Sequence, residues 1–532
     1  MIKLSDLSFK FNDRDPVLRR VNLEVSQGEF VLVCGPTGSG KSTFLRCLNG
    51  LAPHFTGGWL RGKIEINGVD MTGLRPHDFA GVVGFVNQQP EGAFVADTVI
   101  GELVYGMEQL GLPAAEMRIR LDQTLQLFNL QELQNRNLNE LSGGQQQRVA
   151  IASALAAGQK ILVLDEPTSA LDAASAAEVI ALLQRLSREQ QITVILAEHR
   201  LERVLPVVDR LILVNGDSSV TTQAPSEAMH EYRLVPPIVE LSRLAGLTPT
   251  VLVPADFPLS AAGSLEVTSE HPSQPDEFGG SDALQVEGLS VSYGSAQAVT
   301  NASMRIERGE IVTLVGPNGS GKTSLLWAIH GAGERSAGTS KTPWGETKDL
   351  SAEERICAIT LVPQRASDLL FLTTVAAELE DSDRFARAAA NTTAKIFEKF
   401  AGRVDPNLHP RDLSAGQQLA LALAIQLVKD AGIVLLDEPT RGLDYEAKRQ
   451  LATIIGDLRP AGKAVLIATH DIEFAAQVAT RVVLIENGVS SSSLSAPEAF
   501  GFDGPLATQV AKALRRNGVY SLSQLSVAGG SK

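Results

Sequence analysis

The sequence predicts an α/β fold made of two tandem domains that share one plan. At 532 residues the chain is longer than one hydrophobic core usually supports, so at least two domains are expected. Apolar, β-rich runs alternate with helix-compatible stretches in both halves, as they do in α/β domains. One ordered set of motifs occurs twice: Lys41 and Lys322 are 281 positions apart, and His199 and His470 are 271 apart. So long and steady a separation indicates a duplicated domain.

Composition along the chain gives the expected domain boundaries. Residues 231–245 suggest a short helix appended to the first domain, and Ser, Gly, Pro and acidic residues dominate from about residue 258. Within the first domain, residues 71–79 and 114–130 are predicted to be helical. The predicted organisation is a first domain at 1–216, a short helical tail at 217–257, a flexible linker at 258–281, a second domain at 282–490 and a small C-terminal helical tail at 491–532.

Composition and charge exclude several classes of protein. Hydrophobic residues make up 44% and charged residues 20%, which is typical of globular proteins. No apolar run approaches the roughly 18 residues that span a bilayer, and we expect no signal peptide. The three cysteines are too few and too scattered for a disulfide framework or a zinc site, so a reducing cytosol is expected. A net charge of −14 argues against a protein that grips nucleic acid through its phosphates.

Two glycine-rich loops predict nucleotide binding. Both fit the pattern G-x-x-x-x-G-K-[ST], and each lies between an apolar β-rich run and a helix-compatible segment. Glycines let backbone N–H groups converge on phosphate oxygens, and the following helix N-terminus adds partial positive charge. The two lysines would reach the β- and γ-phosphates of ATP, and Ser42 and Thr323 would bind Mg²⁺. The loop residues are Gly35, Pro36, Thr37, Gly38, Ser39, Gly40, Lys41, Ser42 and Thr43, and Gly316, Pro317, Asn318, Gly319, Ser320, Gly321, Lys322, Thr323 and Ser324.

Acidic pairs and histidines at strand ends predict hydrolysis. Asp165 and Asp437 each end an apolar strand, where a carboxylate can hold Mg²⁺ or its water shell. The next residues, Glu166 and Glu438, are interpreted as general bases or water-polarising groups. Two histidines that follow later apolar strands are expected to hydrogen-bond the γ-phosphate and to hold the glutamate and water in place. These histidines are His199 and His470.

The segments Leu-Ser-Gly-Gly-Gln at 141–145 and Leu-Ser-Ala-Gly-Gln at 413–417 complete the repeated set. The set resembles that of the ABC-type ATPases, and the resemblance covers nearly the whole chain apart from the central linker. It implies that each domain contains a RecA-like core, a β-subdomain and a helical subdomain that carries the signature. We expect both copies to hydrolyse ATP, because no catalytic residue is missing from either.

The resemblance also suggests roles for residues outside the catalytic set. Gln88 and Gln364 would contact Mg²⁺ and water and link the site to the helical subdomain. Phe11 and Tyr293 occupy the positions at which family members place an aromatic ring against adenine. For the first domain, Phe9 remains an alternative to Phe11.

In the ABC family a signature segment completes the ATP site of the partner domain. The resemblance therefore implies that ATP on Lys41 is capped by the second signature and ATP on Lys322 by the first. The capping residues would be Ser142, Gly144, Ser414 and Gly416. The second signature departs from the pattern at Ala415, where a methyl group could change loop dihedrals or helix packing and make the two sites differ in rate.

Three further segments suggest a subgroup. Residues 52–58, 84–97 and 197–202 look like those of the ATPases of energy-coupling factor transporters, which import vitamins, vitamin precursors or cobalt and nickel ions. The fused arrangement and the two helical tails are similar as well. The resemblance implies two membrane partners, a transmembrane coupling protein and a small substrate-capture protein, at the cytoplasmic face of the cell membrane. Helices of the coupling protein would enter a groove near Gln88 and Gln364, beside residues 89–106 and 365–380.

Three alternatives stay open. A fused sugar-importer ATPase is the nearest, although such chains often carry a degenerate second half. A soluble tandem ABC protein that acts on ribosomes usually has basic surfaces and a charged helical linker, whereas this linker is acidic and rich in Pro and Ser. A non-hydrolysing interaction module conflicts with two intact Asp-Glu pairs. The transported substrate is not encoded in an ATPase of this kind.

Overall fold

The structure is a computed structural model that describes residues 1–12, 15–88, 90–268 and 281–527. Contacts within the chain divide it into two units, Met1–Pro236 and Pro237–Lys532. Each unit combines a mainly parallel set of strands, an antiparallel set of strands and helices. The prediction of two tandem α/β domains is therefore confirmed.

The first unit follows the predicted alternation of strands and helices. Its strands are β1 (Ile2–Lys10), β2 (Pro16–Val25), β3 (Phe30–Cys34), β4 (Trp59–Ile66), β5 (Val69–Asp70), β6 (Val83–Val86), β7 (Ile161–Asp165), β8 (Thr193–Ala197), β9 (Arg210–Val214) and β10 (Val220–Gln223). Its helices are α1 (Lys41–Cys47), α2 (Leu51–His54), α3 (Pro76–Phe79), α4 (Val99–Gln109), α5 (Ala114–Leu127), α6 (Gly143–Leu155), α7 (Ala173–Gln190) and α8 (Pro225–Glu231).

Two sheets organise the first unit. The six-stranded sheet has the order β10-β9-β3-β8-β7-β6, and all its neighbours are parallel except the edge pair β10 and β9. Strands β3, β7 and β8 are buried along their full length, as expected for continuous apolar runs in the middle of a parallel sheet. The antiparallel sheet has the order β2-β1-β4-β5.

Two helix predictions in the first unit had different outcomes. The helix expected at 114–130 forms as α5, and Leu125 and Phe128 of its apolar stripe are buried. The helix expected at 71–79 is shorter, because only Pro76–Phe79 is helical. The residues before it form a turn, in which Thr72 N–H donates to Asp70 Oδ1 at 3.0 Å.

The second unit repeats the plan and adds elements from both sides. Its strands are β11 (Leu265–Val267), β12 (Asp282–Tyr293), β13 (Ala296–Glu307), β14 (Ile311–Val315), β15 (Ala337–Thr342), β16 (Gly345–Glu346), β17 (Ile359–Val362), β18 (Ile433–Asp437), β19 (Ala464–Thr469), β20 (Arg481–Glu486), β21 (Val489–Ser490), β22 (Leu494–Ser495) and β23 (Leu525–Val527). Its helices are α9 (Pro237–Leu244), α10 (Lys322–His330), α11 (Ala352–Ala358), α12 (Val375–Phe385), α13 (Thr392–Ala401), α14 (Ala415–Leu427), α15 (Tyr445–Leu458), α16 (Ile472–Val478), α17 (Ala496–Phe500) and α18 (Gln509–Leu514).

Most strands of the second unit form one continuous path, β16-β15-β12-β13-β21-β20-β14-β19-β18-β17, with β22 beside β20, whereas β11 and β23 form a separate two-stranded sheet. A single bridge between Thr300 and Val489 joins its antiparallel and parallel parts. The first unit makes a similar contact, in which Arg19 N–H donates to Ser218 O at 2.9 Å.

The central segment is arranged differently from the expected tail and linker. Strand β10 and helix α8 lie in the first unit, but α9 begins at the unit boundary and packs against α18. Strand β11 pairs with β23 near the end of the chain. The residues of the expected linker up to 268 are therefore part of the second unit. Residues 269–280 of that linker, and 528–532 of the expected C-terminal tail, lie outside the described residues.

Among the described residues, no helix combines the length and the apolar character needed to cross a membrane.

Candidate functional site

In each unit the predicted site residues meet at one edge of the parallel sheet. In the first unit β3, β8, β7 and β6 are consecutive parallel neighbours, so their carboxyl ends lie side by side. The residues that follow these ends are the phosphate loop, His199, Glu166 and Gln88. Ligands of open α/β sheets bind at such an edge.

The first phosphate loop holds its lysine through backbone oxygens. Helix α1 begins at Lys41, whose Nζ donates to Gly35 O at 2.8 Å and to Pro36 O at 3.0 Å. The lysine is only 6% exposed. Gly40 precedes it with a φ of 106°, which glycine adopts far more readily than other residues. The backbone oxygens of the loop therefore fix the position of the lysine.

Ser42 and Asp165 meet as predicted for a shared cation site. The Ser42 hydroxyl donates to Asp165 Oδ1 at 3.1 Å. Burial raises the pKa of the Asp165 carboxyl, and the hydrogen bond from Ser42 acts in the opposite direction. A carboxylate disfavoured by burial gains from a nearby positive charge.

Glu166 is held on both carboxylate oxygens. Gln88 Nε2 donates to Oε2 at 2.7 Å, and His199 Nε2 lies 2.8 Å from Oε1. The residue has a φ of 51°, a left-handed conformation that is uncommon outside glycine. Its backbone N–H donates to Ala197 O at 2.9 Å. The structure thus brings together Glu166 and His199, which were predicted to act on the attacking water, and Gln88, which was predicted to contact Mg²⁺ and water.

In the second unit the lysine and the glutamate form an ion pair. Lys322 Nζ donates to Gly316 O and Pro317 O, both at 2.8 Å, and lies 3.5 Å from Glu438 Oε1. Glu438 Oε2 lies 2.8 Å from His470 Nδ1. Burial acts to raise the pKa of Glu438, but His470 and Lys322 outweigh it, so this pKa lies below its usual value.

Asp437 is the least satisfied acid of the second site. Burial raises the pKa of Asp437 to about 6, and the charge of Glu438 adds to the rise. Both carboxylate oxygens are buried and lack a hydrogen-bond partner among the described residues. Buried polar atoms of this kind call for a ligand or an ion.

Gln88 and Gln364 differ in their hydrogen bonds. Gln88 donates to Glu166, whereas Gln364 is exposed and makes no hydrogen bond to Glu438 within the part of the chain that is described. In the second unit, Glu438 therefore contacts His470 without a hydrogen bond from the glutamine in the described part of the chain.

The aromatic candidates differ in accessibility. Phe9 is only 1% exposed and belongs to the core of the first unit, so it is not available to stack on a base without repacking. Phe11 is partly buried, and its ring meets that of Phe9 edge-on with centroids 5.1 Å apart. Tyr293, at the end of β12, is 48% exposed. Because Phe11 is more accessible than Phe9, Phe11 is the better candidate for the ring that stacks on adenine in the first unit.

Both signature serines begin helices through reciprocal hydrogen bonds. Ser142 Oγ accepts the Gln145 N–H at 3.3 Å, and Gln145 Oε1 accepts the Ser142 N–H at 2.9 Å. Ser414 and Gln417 form the same capping box at the start of α14. This arrangement leaves backbone N–H groups at a helix N-terminus, where an anion is favoured.

Comparison with known proteins decides the family. Residues 18–169 and 299–441 match the profile of the ABC transporter family, which covers more than half of the chain. The chain belongs to the ABC transporter family. A protein of Streptomyces coelicolor that is assigned as an ABC transporter ATP-binding protein is 41% identical over 551 residues, covering 97% of each chain.

Solved structures of ABC proteins resemble the chain to different extents. The archaeal ribosome recycling factor aABCE1, in its complex with the ribosomal stalk protein aP1, shares the fold: it is 22% identical and superposes with a TM-score of 0.57. That match covers 90% of this chain and 88% of the other. CbiO1 of Clostridium perfringens, part of the ABC transporter complex CbiONQ, is 28% identical over 43% of this chain and 90% of its own, with a TM-score of 0.40.

Family membership establishes the general activity of the chain. The chain is an ATPase with two ABC transporter domains, each of which binds ATP. The phosphate loops and the acids described above lie inside the matched segments, whereas His199 and His470 lie beyond their ends.

One buried residue beside the first site, Glu198, received no role from the sequence motifs. Glu198 lies between the end of β8 and His199 and is only 2% exposed. Its Oε2 accepts the Thr168 N–H at 3.2 Å. The sequence offered one signal for Glu198: the second copy has Thr469 at the equivalent position.

Glycine in place of Ala415 is expected to change the ATPase rate by less than about twofold, because the ABC signature helix already accommodates the methyl group. Ala415 is the first residue of α14, and it is not among the residues with positive φ. Gly143 occupies the same place in α6, also without a positive φ. Steady-state phosphate release measures the effect, and a change above about tenfold would show that the methyl group acts on the site.

Proposed function

We propose that the chain is the energy-coupling ATPase subunit of a membrane importer of the energy-coupling factor type. Its partners are a transmembrane coupling protein and a small membrane protein that captures the substrate, and the complex lies at the cytoplasmic face of the cell membrane. The cargo class is a vitamin, a vitamin precursor, or cobalt or nickel ions. The proposal is supported by the motif segments at 52–58, 84–97 and 197–202.

Exposed apolar side chains after the two glutamines are the observation that carries the proposal. Val95 is 62% exposed and Phe371 is 81% exposed. Both lie in the segments expected to meet the coupling protein, 89–106 and 365–380, of which residue 89 lies outside the described chain. Exposed apolar side chains in the corresponding segment of each copy would suit contact with a partner protein. Tyr105, 37% exposed, adds to the surface after Gln88.

Mg²⁺ fits the oxygen donors of both sites. In the first unit these donors are Ser42 and Asp165, and in the second they are Thr323 and Asp437, with buried Asp437 oxygens that lack a partner among the described residues. Hydroxyl and carboxylate oxygens are the ligands that Mg²⁺ prefers. When bound, Mg²⁺ supplies charge neutralisation for the phosphates of ATP. Gln88 and Gln364 remain proposed as contacts of the ion and of water.

Within each site, a lysine, a glutamate and a histidine have separate roles in hydrolysis. The lysine binds phosphate oxygens, the glutamate accepts a proton from the attacking water, and the histidine holds the glutamate. In the second unit Lys322 and Glu438 form an ion pair, with Lys322 Nζ 3.5 Å from Glu438 Oε1. Phosphate oxygens would replace Glu438 as the partner of Lys322 and leave the glutamate to the water.

The signature serines are proposed to complete the site of the opposite copy, as the family resemblance implies. Inside the first unit, the described hydrogen bonds of Ser142 involve Gln145 and Gln146 and none reaches the phosphate loop. Ser414 is likewise engaged with Gln417 and Gln418.

The variant F371D is expected to lower the fraction of chain retained on washed native membranes by about tenfold. A carboxylate at the centre of an apolar contact would remain without a partner after burial. V95D tests the corresponding segment of the first unit and is expected to act in the same direction. Membrane pelleting followed by quantification of the tagged chain measures the effect.

The matched control is I119D, which places the same charge at an exposed apolar position of α5 outside both segments. Ile119 is 59% exposed. Retention of I119D together with loss of F371D supports the proposed docking surface. Equal retention of all three variants, each with wild-type ATPase rates, would contradict it.

A further inference from the structure

A buried carboxylate supports the turn that follows the proposed base of the first site. Glu198 Oε2 accepts the Thr168 N–H at 3.2 Å, and Oε1 accepts the His199 N–H at 3.3 Å. Thr168 is fully buried, and it lies two residues after Glu166. The carboxylate therefore connects the turn after Glu166 with the segment that carries His199.

Arg203 holds the same turn from its carbonyl side. Its Nη1 donates to Thr168 O at 3.0 Å and to Thr168 Oγ1 at 3.2 Å. The backbone N–H, the carbonyl and the hydroxyl of Thr168 all have partners as a result. Burial and the charge of Glu166 raise the pKa of Glu198, whereas the charge of Arg203 lowers it.

This support matters because the backbone at Glu166 is unfavourable. A φ of 51° in a non-glycine residue is kept only when surrounding contacts fix it. The contacts of Thr168 with Glu198 and Arg203 lie directly after this residue. They therefore contribute to the direction in which the Glu166 carboxylate points.

The second unit lacks this arrangement and serves as an internal comparison. Thr469 replaces Glu198, and its hydroxyl accepts the Asp471 N–H at 3.0 Å. No hydrogen bond joins Thr469 to Thr440 among the described residues, and the buried Thr440 hydroxyl has no partner there. Glu438 has the same unfavourable conformation, with a φ of 48°, and the same backbone hydrogen bond to the neighbouring strand, from its N–H to Ala468 O at 2.8 Å. The Glu198 contact is therefore an added restraint on the turn of the first unit, and the conformation itself does not depend on it.

We propose that Glu198 is a positioning residue of the first ATP site, which fixes the Thr168 turn and thereby aims Glu166 at the attacking water. The first site then depends for its turnover on a contact that the second site does not have. The inference rests on the proposed role of Glu166 as the base. It concerns the rate of hydrolysis and leaves ATP binding to the phosphate loop.

The test compares E198A with E198Q in an E438Q background, in which the remaining turnover reports the first site. E198A is expected to lower kcat about tenfold with KM changed less than about twofold, because a hydrogen bond to a charged group is lost. E198Q keeps a carbonyl oxygen that accepts the Thr168 N–H and is expected to restore most of kcat. T469A, made in an E166Q background, is the matched control for the second site and is expected to change kcat less than about twofold.

Three outcomes would overturn the inference. The first is an unchanged kcat in E198A, and the second is an equal loss of kcat in E198A and E198Q. The third is a lower kcat in E198A together with a raised KM. Thermal unfolding of both variants separates a misfolded E198A from an active-site effect, and the near-isosteric E198Q carries the test in that case. Wild-type turnover in E166Q/E438Q would instead refute the base assignment itself, whatever E198A does.

Discussion

The double variant E166Q/E438Q is expected to hydrolyse ATP at least about 100-fold more slowly than the wild type while it still binds ATP. Both carboxylates lie at sheet edges beside a phosphate loop, and each contacts a histidine at 2.8 Å. A glutamine keeps the shape of the side chain but accepts a proton far less readily. Phosphate release measures hydrolysis, and a fluorescent ATP analogue measures binding.

The single variants show whether both sites work. If both hydrolyse independently, E166Q and E438Q each keep roughly half of the rate, since one carboxylate remains as a base. E132Q, at an exposed position of the first unit, controls for the loss of one charge. A wild-type rate in E438Q would show that the second site contributes nothing, and a wild-type rate in the double variant would refute the base assignment.

The variant G321A is expected to weaken ATP binding at the second site at least about tenfold, because its methyl group has no room. Gly321 has a φ of 98°, and a Cβ built there would lie 2.3 Å from Ala298 O. That oxygen belongs to the backbone of β13, so relief requires the loop or the strand to move. A displaced loop no longer points its N–H groups at the phosphates.

The control for this variant is G319A in the same loop. Gly319 also has a positive φ, 76°, but a Cβ there would meet nothing within 4 Å. The backbone strain of about 1 kcal/mol is common to both variants, so the difference between them isolates the clash. Titration with a fluorescent ATP analogue in a K41A background, which removes the first site, provides the measurement. Equal affinities of the two variants would show that the close approach of Ala298 O does not constrain the loop.

The phosphate loops and core strands could be predicted because their signals are local. The apolar runs before each loop form β3 and β14, and the glycine pattern requires backbone angles that few other sequences adopt. The helix expected at 114–130 also formed, since its apolar residues repeat with a helical period. The helix expected at 71–79 failed at its start, where Asp70 and Thr72 form a turn instead.

The packing of the central segment could not be predicted in the same way. Helix α9 is recognisable in the sequence, but its partner lies at the far end of the chain: Gln509 Oε1 accepts the Ile238 N–H at 3.1 Å. Strand β11 likewise pairs with β23, more than 250 residues away in sequence. Sequence pattern gives an element its type, whereas its packing partner depends on tertiary contacts that no local window contains.

The candidate site could likewise be predicted only in part from the sequence. The motifs assigned Glu166, His199 and Gln88 to one ATP site, and the structure joins them by hydrogen-bond distances. The different state of Gln364 has no counterpart in the motif, because both glutamines follow equivalent strands. Glu198 escaped assignment for a related reason: its contact with Thr168 depends on two strand ends that meet only in the fold.

The most direct test of the central claim is the identity of the proteins that accompany the chain on native membranes. The tagged chain would be isolated from detergent-solubilised membranes, its ATPase activity confirmed, and the co-eluting proteins identified by mass spectrometry. The account predicts a polytopic membrane protein together with a small hydrophobic substrate-binding protein. Co-elution of ribosomal proteins without any membrane partner would contradict it.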